Sequence, residues 1–348
     1  MPDCDLRNPS GNGECGPMAN RSFGQSLLVT TPDPNWITGW GNRGFSWAGS
    51  LSIDHQLSTG VAVSAGYYRT IYGNQIVSRN QATTPADYDP YCITAPIDSR
   101  LPATLSGQQI CGLYDITPSK FGVVNNVVTL ADNFGHPREH YNGADVNAVV
   151  RLARGLNLSG GWNVGNAIST LTAFPGATTS KLNTCVVVNS PQDVTFTLPA
   201  GTTVLNGCET GNPYQHQFRV NGSMRLPYGL QAAAVYQSLP GPNYDANDTF
   251  GNAQVQGLGR NLSGGVTAIT VNLVPPLSQC LDRINQVDVR LSKIVRTGRG
   301  RYQFNFDVYN LSNSSVALWV NSTYGPNWLS PTSTLDGRLV KFGIQYDF

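Results

Sequence analysis

Leu339-Val340-Lys341-Phe342-Gly343-Ile344-Gln345-Tyr346-Asp347-Phe348 alternates without a break: Val340, Phe342, Ile344, Tyr346 and Phe348 share one face of an extended strand, and Lys341, Gln345 and Asp347 share the other. A soluble domain seldom presents five apolar side chains in a row along a terminal strand. A membrane-spanning barrel strand needs about ten residues with one row facing lipid. The decad therefore predicts a lipid-facing strand.

The rest of the chain repeats that pattern in pairs. The first pair covers about 46–57, with Trp47, Gly49, Leu51 and Ile53 opposed to Ser50, Ser52, Asp54 and Gln56, and 61–76, joined at Ser58-Thr59-Gly60. The second covers 141–153 and 156–168 around Arg154-Gly155, the third runs from 214 to 240 around Pro227-Tyr228-Gly229, and the fourth occupies 283–311 around Thr297-Gly298-Arg299-Gly300. With 338–348 as the ninth strand, the expected fold is all-β: an antiparallel up-and-down transmembrane β-barrel portion of about nine long strands. One end carries tight turns. The other carries long stretches near 77–140, 169–213, 241–282 and 312–337, which read as structureless connections. Barrels of outer membranes have this asymmetry, with short periplasmic turns and long extracellular loops. Nearly all prolines fall in the loops or the N-terminal segment, outside strands that need every N–H for the ladder.

Composition bounds the alternatives. Of 348 residues 12% are charged, with 37 Gly and 22 Pro, which excludes a coiled coil and a disordered chain. A net charge of +1 with scattered Lys and Arg offers no field for nucleic acid. No stretch of about 18 apolar residues is present, so no spanning helix is expected. Mean hydropathy is −0.20, a value compatible with a barrel because alternation halves its hydrophobicity. Met1-Pro2-Asp3-Cys4-Asp5 has neither the basic start nor the apolar stretch of a signal peptide, so an export signal is expected to have been removed or to lie outside this chain.

The seven cysteines all fall outside the strands. Local couples predict disulfides Cys4–Cys15, Cys92–Cys111 and Cys185–Cys208 in an oxidising compartment, leaving Cys280 over. A zinc site is the competing reading, disfavoured by the absence of CxxC.

Arg283-Ile284-Asn285-Gln286-Val287-Asp288-Val289-Arg290-Leu291-Ser292-Lys293-Ile294, Phe306-Asp307-Val308-Tyr309-Asn310-Leu311-Ser312-Asn313, Gly337-Arg338 and the terminal heptad from Phe342 resemble the C-terminal end of TonB-dependent outer-membrane receptors, more narrowly the Oar-like barrels. Gly66-Tyr67-Tyr68-Arg69-Thr70, Tyr88-Asp89-Pro90-Tyr91-Cys92 and Cys111-Gly112-Leu113-Tyr114-Asp115 are similar to loop-rich barrels of that group. The resemblance implies a barrel of about 22 strands around a plug domain, uptake of a bulky nutrient driven through TonB, and Phe348 as part of the signal read by the barrel-assembly machinery. It implies a Gram-negative outer membrane and its lipid as the setting. Plug, TonB-contacting segment and signal peptide have no counterpart here. Counting back from an inward-running last strand places 1–45 as an extracellular loop segment and 46–348 as the C-terminal strands of a partial barrel, whose preceding strand lies outside the chain. TonB would then be contacted only through a plug domain not in this chain.

Other motifs carry less. His136-Pro137-Arg138-Glu139-His140 has the H-x-x-E-H spacing of zinc peptidases, but Gly135 and Pro137 oppose the helix that chemistry requires. Asp245-Ala246-Asn247-Asp248 lacks the Gly and distal Glu of an EF-hand loop. The glycine-rich run from Gly257 to Gly265 misses the dinucleotide fingerprint. No catalytic group, metal or cofactor is expected. Tyr67, Tyr68, Tyr72, Tyr141, Trp162, Tyr236, Tyr309, Trp319, Tyr324 and Trp328 sit near inferred strand ends, where they would anchor the bilayer interface; Tyr67, Tyr72, Trp162, Tyr236, Trp319 and Trp328 are candidates for stacking on a ligand if they point inward. The expected inward row, including Asp145, Arg151, Arg219, Arg225, Asp288, Arg290, Asn305 and Asp307, carries both signs. Two function classes follow: a transport receptor barrel, or a secreted or surface β-sandwich acting as an adhesin. Strands of about ten residues with an unbroken apolar band favour the first; short strands in two packed sheets favour the second.

Overall fold

The computed structural model describes residues 3–5, 7–8, 10–17, 30–133, 138–152, 155–169, 195–196, 205–206, 210–211, 214–275, 277–298 and 300–348. Its main feature is one antiparallel sheet of nine long strands: β1 (Phe45–Ser58), β2 (Val61–Gly73), β3 (Glu139–Leu152), β4 (Leu156–Ser169), β5 (Gln215–Leu226), β6 (Leu230–Leu239), β7 (Ile284–Thr297), β8 (Gly300–Tyr309) and β9 (Leu339–Asp347). Each pairs with its successor, giving an up-and-down meander in chain order. Strand lengths run from 9 to 14 residues. Among the described residues β1 has only β2 as a ladder neighbour and β9 only β8.

Each expected reversal brings a strand back beside its predecessor; Arg154 and Arg299 of two of the turns lie outside the described residues. At Gly60 φ is +95°, and a Cβ there would run into the Arg151 carbonyl, so the β1–β2 turn requires glycine. In the β5–β6 turn Tyr228 and Gly229 both take left-handed backbone, φ 63° and 74°, after Pro227.

Register keeps the alternation in phase across all nine strands. Tyr302, Phe304, Phe306 and Val308 of β8 lie opposite Tyr346, Ile344, Phe342 and Val340 of β9, while Gln303, Asn305 and Asp307 oppose Gln345, Gly343 and Lys341. The same phase continues through Leu291↔Phe306, Ala232↔Leu291, Val220↔Tyr236, Trp162↔Phe218, Val146↔Trp162, Ala65↔Val146 and Ile53↔Ala65. One face thus carries an apolar band from edge to edge, interrupted by Arg69 in β2 and Lys293 in β7. All six carboxylates in the nine strands, Asp54, Glu139, Asp145, Asp288, Asp307 and Asp347, stand on the other face. That face is tied by cross-strand bonds: Arg290 grips Asp307 at 2.5 and 2.9 Å, Gln237 donates to Gln286 at 2.9 Å, and Ser292 donates to Asn305 at 2.7 Å.

No layer covers the apolar face among the described residues. Leu51 is 76% exposed and Phe342 78%. Apart from Val308, every buried apolar side chain among the described residues lies outside the nine strands. The core sits instead in the long connections 74–138, 240–283 and 310–338, where Tyr91, Ile93, Leu113, Phe250, Leu273 and Trp328 pack into one cluster with others. The expectation of structureless loops is therefore corrected for these three connections; most of 169–213 lies outside the described residues. The three connections contain their own hairpins, Tyr88–Thr94 with Gln109–Ile116, Asn247–Gly251 with Ala268–Asn272, and Ala317–Val320 with Pro331–Thr334. Ala246, Phe250, Val271, Leu273 and Val274 supply buried apolar surface to this core. The segment Thr30–Pro32 joins this region by pairing with Asn126–Val128.

Candidate functional site

The hollows of the sheet open on its polar face. Near the turn end one of about 480 Å³ is lined by Arg151, Asn157, Ser159, Asn221 and Ser223. Midway, one of about 510 Å³ is lined by Tyr68, Tyr141, Asp145, Asn147, Asn163 and Arg219. At the loop end, one of about 520 Å³ lies among Trp36, Phe45, Tyr72, Gln75 and Glu139. Of the row expected to face inward, Asp145, Arg151, Arg219, Arg225, Asp288, Arg290, Asn305 and Asp307 all share this face.

Local sequence builds the middle hollow. Tyr141 points to the polar face, and its hydroxyl end occupies the space a Cβ would need at Gly143 and at Gly165, which stand opposite each other on β3 and β4. The two glycines let the ring lie flat on the backbone. The Tyr68 hydroxyl and Asp145 Oδ1 both stand against Gly66, and Asn147 Nδ2 donates to the Asp145 carboxylate at 2.5 Å. This wall offers hydroxyls, amides and both charge signs, suited to a polar solute held by many weak contacts. His55, His140 and His216 all face the apolar side, away from every strand carboxylate, so no imidazole of the nine strands meets an acid there. Glu139 and His140 are consecutive strand residues pointing to opposite faces, and His136 and Pro137 lie outside the described residues. Among the described residues no group of three His, Cys, Asp or Glu stands close enough to hold a metal.

The candidate aromatics divide by face. Tyr67, Trp162 and Tyr236 are on the apolar face, Tyr67 and Trp162 near the middle of β2 and β4 and Tyr236 toward the loop end of β6, each with its polar tip bonded: Tyr67 to Asn142 at 3.2 Å, Trp162 Nε1 to His216 Nδ1 at 3.2 Å, Tyr236 to Asn285 at 3.2 Å. Tyr72 faces the polar side and borders the loop-end hollow. Trp319 is 66% exposed in a loop hairpin. Trp328 is 2% exposed in the loop core, with Nε1 donating to the Asp245 carbonyl at 2.9 Å, so its ring packs the core instead of facing a ligand. Phe348 is fully exposed. Cys4–Cys15 and Cys92–Cys111 are bonded, Cys280 is a free exposed thiol, and Cys185 and Cys208 lie outside the described residues.

The loop region is clamped by two arginines absent from the sequence-based candidates. Arg260 Nη2 bonds Asp89 at 2.7 Å, while Nη1 bonds Asp115 at 2.5 Å and Ser263 at 3.1 Å, joining connection 240–283 to 74–138. Arg100 forks onto Asp98 at 2.7–3.1 Å, reaches the Gly325 and Trp328 carbonyls, and lies over the Trp328 ring at 5.3 Å. Tyr324 donates to Asp98 at 2.8 Å; burial and that carboxylate push its hydroxyl up to about 12. No local spacing signals these clamps, because each spans connections more than 140 residues apart.

Two loop carboxylates shift against the usual direction. Burial raises Asp245, although Asn272 Nδ2 donates to it at 2.9 Å, and burial likewise raises Asp248. A carboxyl whose folded value exceeds its unfolded one binds more protons when folded, so its contribution is present below about 4 and is lost as pH rises through the raised value. Asp98 works oppositely: Arg100 depresses it, and its contribution is lost as pH falls below the ordinary 3.8. Asp245→Asn, which keeps an oxygen for Asn272, should therefore flatten the decline in loop stability between about pH 4 and 7. Hydrogen exchange of 244–274 across that range measures it; a slope identical to wild type would contradict the assignment.

No protein-family profile and no curated protein sequence matches the chain. Among solved structures it is similar to the crystal structure of the outer membrane transporter YddB from Escherichia coli, with TM-score 0.44 and 11% identity over 86% of this chain and 32% of that one. The chain thus spans about a third of that structure's length.

Proposed function

We propose that this chain forms part of the wall of an outer-membrane transport receptor of the TonB-dependent, Oar-like type, which takes up a bulky nutrient and catalyses no reaction. The observation that carries the reading is the segregation of the sheet: every strand carboxylate on one face, and an uncovered apolar face spanning all nine strands on the other. In water, contiguous exposed apolar area beyond a few hundred Å² is rare. In lipid it is required, and strands of 9 to 14 residues are long enough to cross when tilted. A secreted sandwich would bury that face under a second sheet. The polar hollows then line a lumen, and the clamped loop region stands at one mouth as the recognition surface. The unpaired ladders of β1 and β9 need partners within the bilayer, so the wall continues at those two edges.

The test is genetic. A host lacking the gene is grown on peptides, oligosaccharides and chelated iron as single nutrient sources, and the outer-membrane fraction is probed for the protein. The reading expects its presence in that fraction and loss of growth on one nutrient class, reproduced by removing TonB. Undiminished growth on every class, with the protein absent from the fraction, would sink it.

A further inference from the structure

The apolar face also carries polar groups, Arg69, Lys293 and Asn142 among them, and one set is built. At the loop end, the Arg283 guanidinium is held by three bonds: Nε to Ser238 Oγ at 3.2 Å, Nη2 to the His216 carbonyl at 2.8 Å, and Nη2 to the Ser238 carbonyl at 3.1 Å. It lies 6.0 Å from the Phe218 ring centroid. Nη1 has no partner among the described residues. The His216 ring stacks on Trp162 at 5.8 Å and 9° and accepts from its Nε1, which places the proton of the neutral imidazole on Nε2 as a second outward donor. No carboxylate shares this face anywhere in the nine strands. The apolar surface below them continues through Phe218 and Val220, both exposed.

From this geometry we infer that Arg283 and His216 form a binding site for the phosphate of an anionic lipid, whose acyl chains lie on the apolar face beneath. The inference rests on the membrane reading above. An immobilised guanidinium gives phosphate a charge-assisted donor at little further entropic cost. Acyl chains add what a free phosphate lacks.

The test uses the full chain in mixed micelles with phosphatidic acid and diacylglycerol of identical chains, which differ only in the phosphate, and counts retained lipids by native mass spectrometry. Wild type should prefer phosphatidic acid, and Arg283→Gln should reduce that preference roughly tenfold. His216→Phe, which keeps the stack on Trp162 and removes the donor, should give a smaller loss in the same direction. Millimolar inorganic phosphate should not displace the lipid; displacement would show a free-phosphate site and overturn the inference. Unchanged preference in both variants would overturn the lipid site while leaving the membrane reading intact. Failure of wild type to retain either lipid would overturn both.

Discussion

Arg260→Met should loosen the loop region without unfolding the sheet. Its guanidinium is about three-quarters buried and faces Asp89 and Asp115, of which Asp115 is the more buried. Removing the cation leaves two carboxylates confronting each other beside the Ile116 carbonyl. Breaking a fully buried pair costs about 3–5 kcal/mol, and the partial exposure of Asp89 lowers the expectation here to about 2–3 kcal/mol. Amides of 88–116 and 247–272 should then exchange on the order of fiftyfold faster, with β3 to β8 unchanged. Uniform acceleration through the strands would mean that the loops and sheet unfold as one unit.

Val146→Arg and Asn147→Arg should differ sharply although the residues are adjacent. Val146 stands opposite Trp162 and Ala65 in the apolar band, near the middle of β3. A cation there should destabilise the membrane-inserted protein by about 2–4 kcal/mol. Asn147 faces the polar side beside Asp145, where an arginine finds a carboxylate and water, so the cost should stay below about 1 kcal/mol. Urea unfolding in lipid vesicles, compared with wild type, measures both. Equal costs would mean that the two faces do not differ in environment.

The alternation in 339–348 carried most of the sheet, because a period of two in every strand leaves a single register that keeps all apolar rows together. Turns were legible for the same reason: Gly60, Gly155 and Pro227-Tyr228-Gly229 interrupt the alternation where backbone must reverse. Alternation also assigns Tyr68 and Tyr141 to the polar face, whereas proximity to strand ends groups them with Tyr67 as anchors. The loop core was not legible. Its strands are short and its contacts join distant segments, such as Cys92 to Gln256 by two backbone bonds, so no periodicity within one segment reports them. The Arg283, His216 and Trp162 arrangement escaped for a related reason, since it needs the register of β4 through β7 to bring three unrelated positions together.

The central claim is that the apolar face meets lipid. Brominated acyl chains quench tryptophans they touch, and the protein supplies reporters on both sides of the claim: Trp47 and Trp162 on the apolar face, Trp328 in the loop core. With the remaining tryptophans replaced by phenylalanine, reconstitution in brominated lipid should quench Trp47 and Trp162 strongly and leave Trp328 unchanged. Emission from Trp47 and Trp162 that is indifferent to bromination would contradict the account.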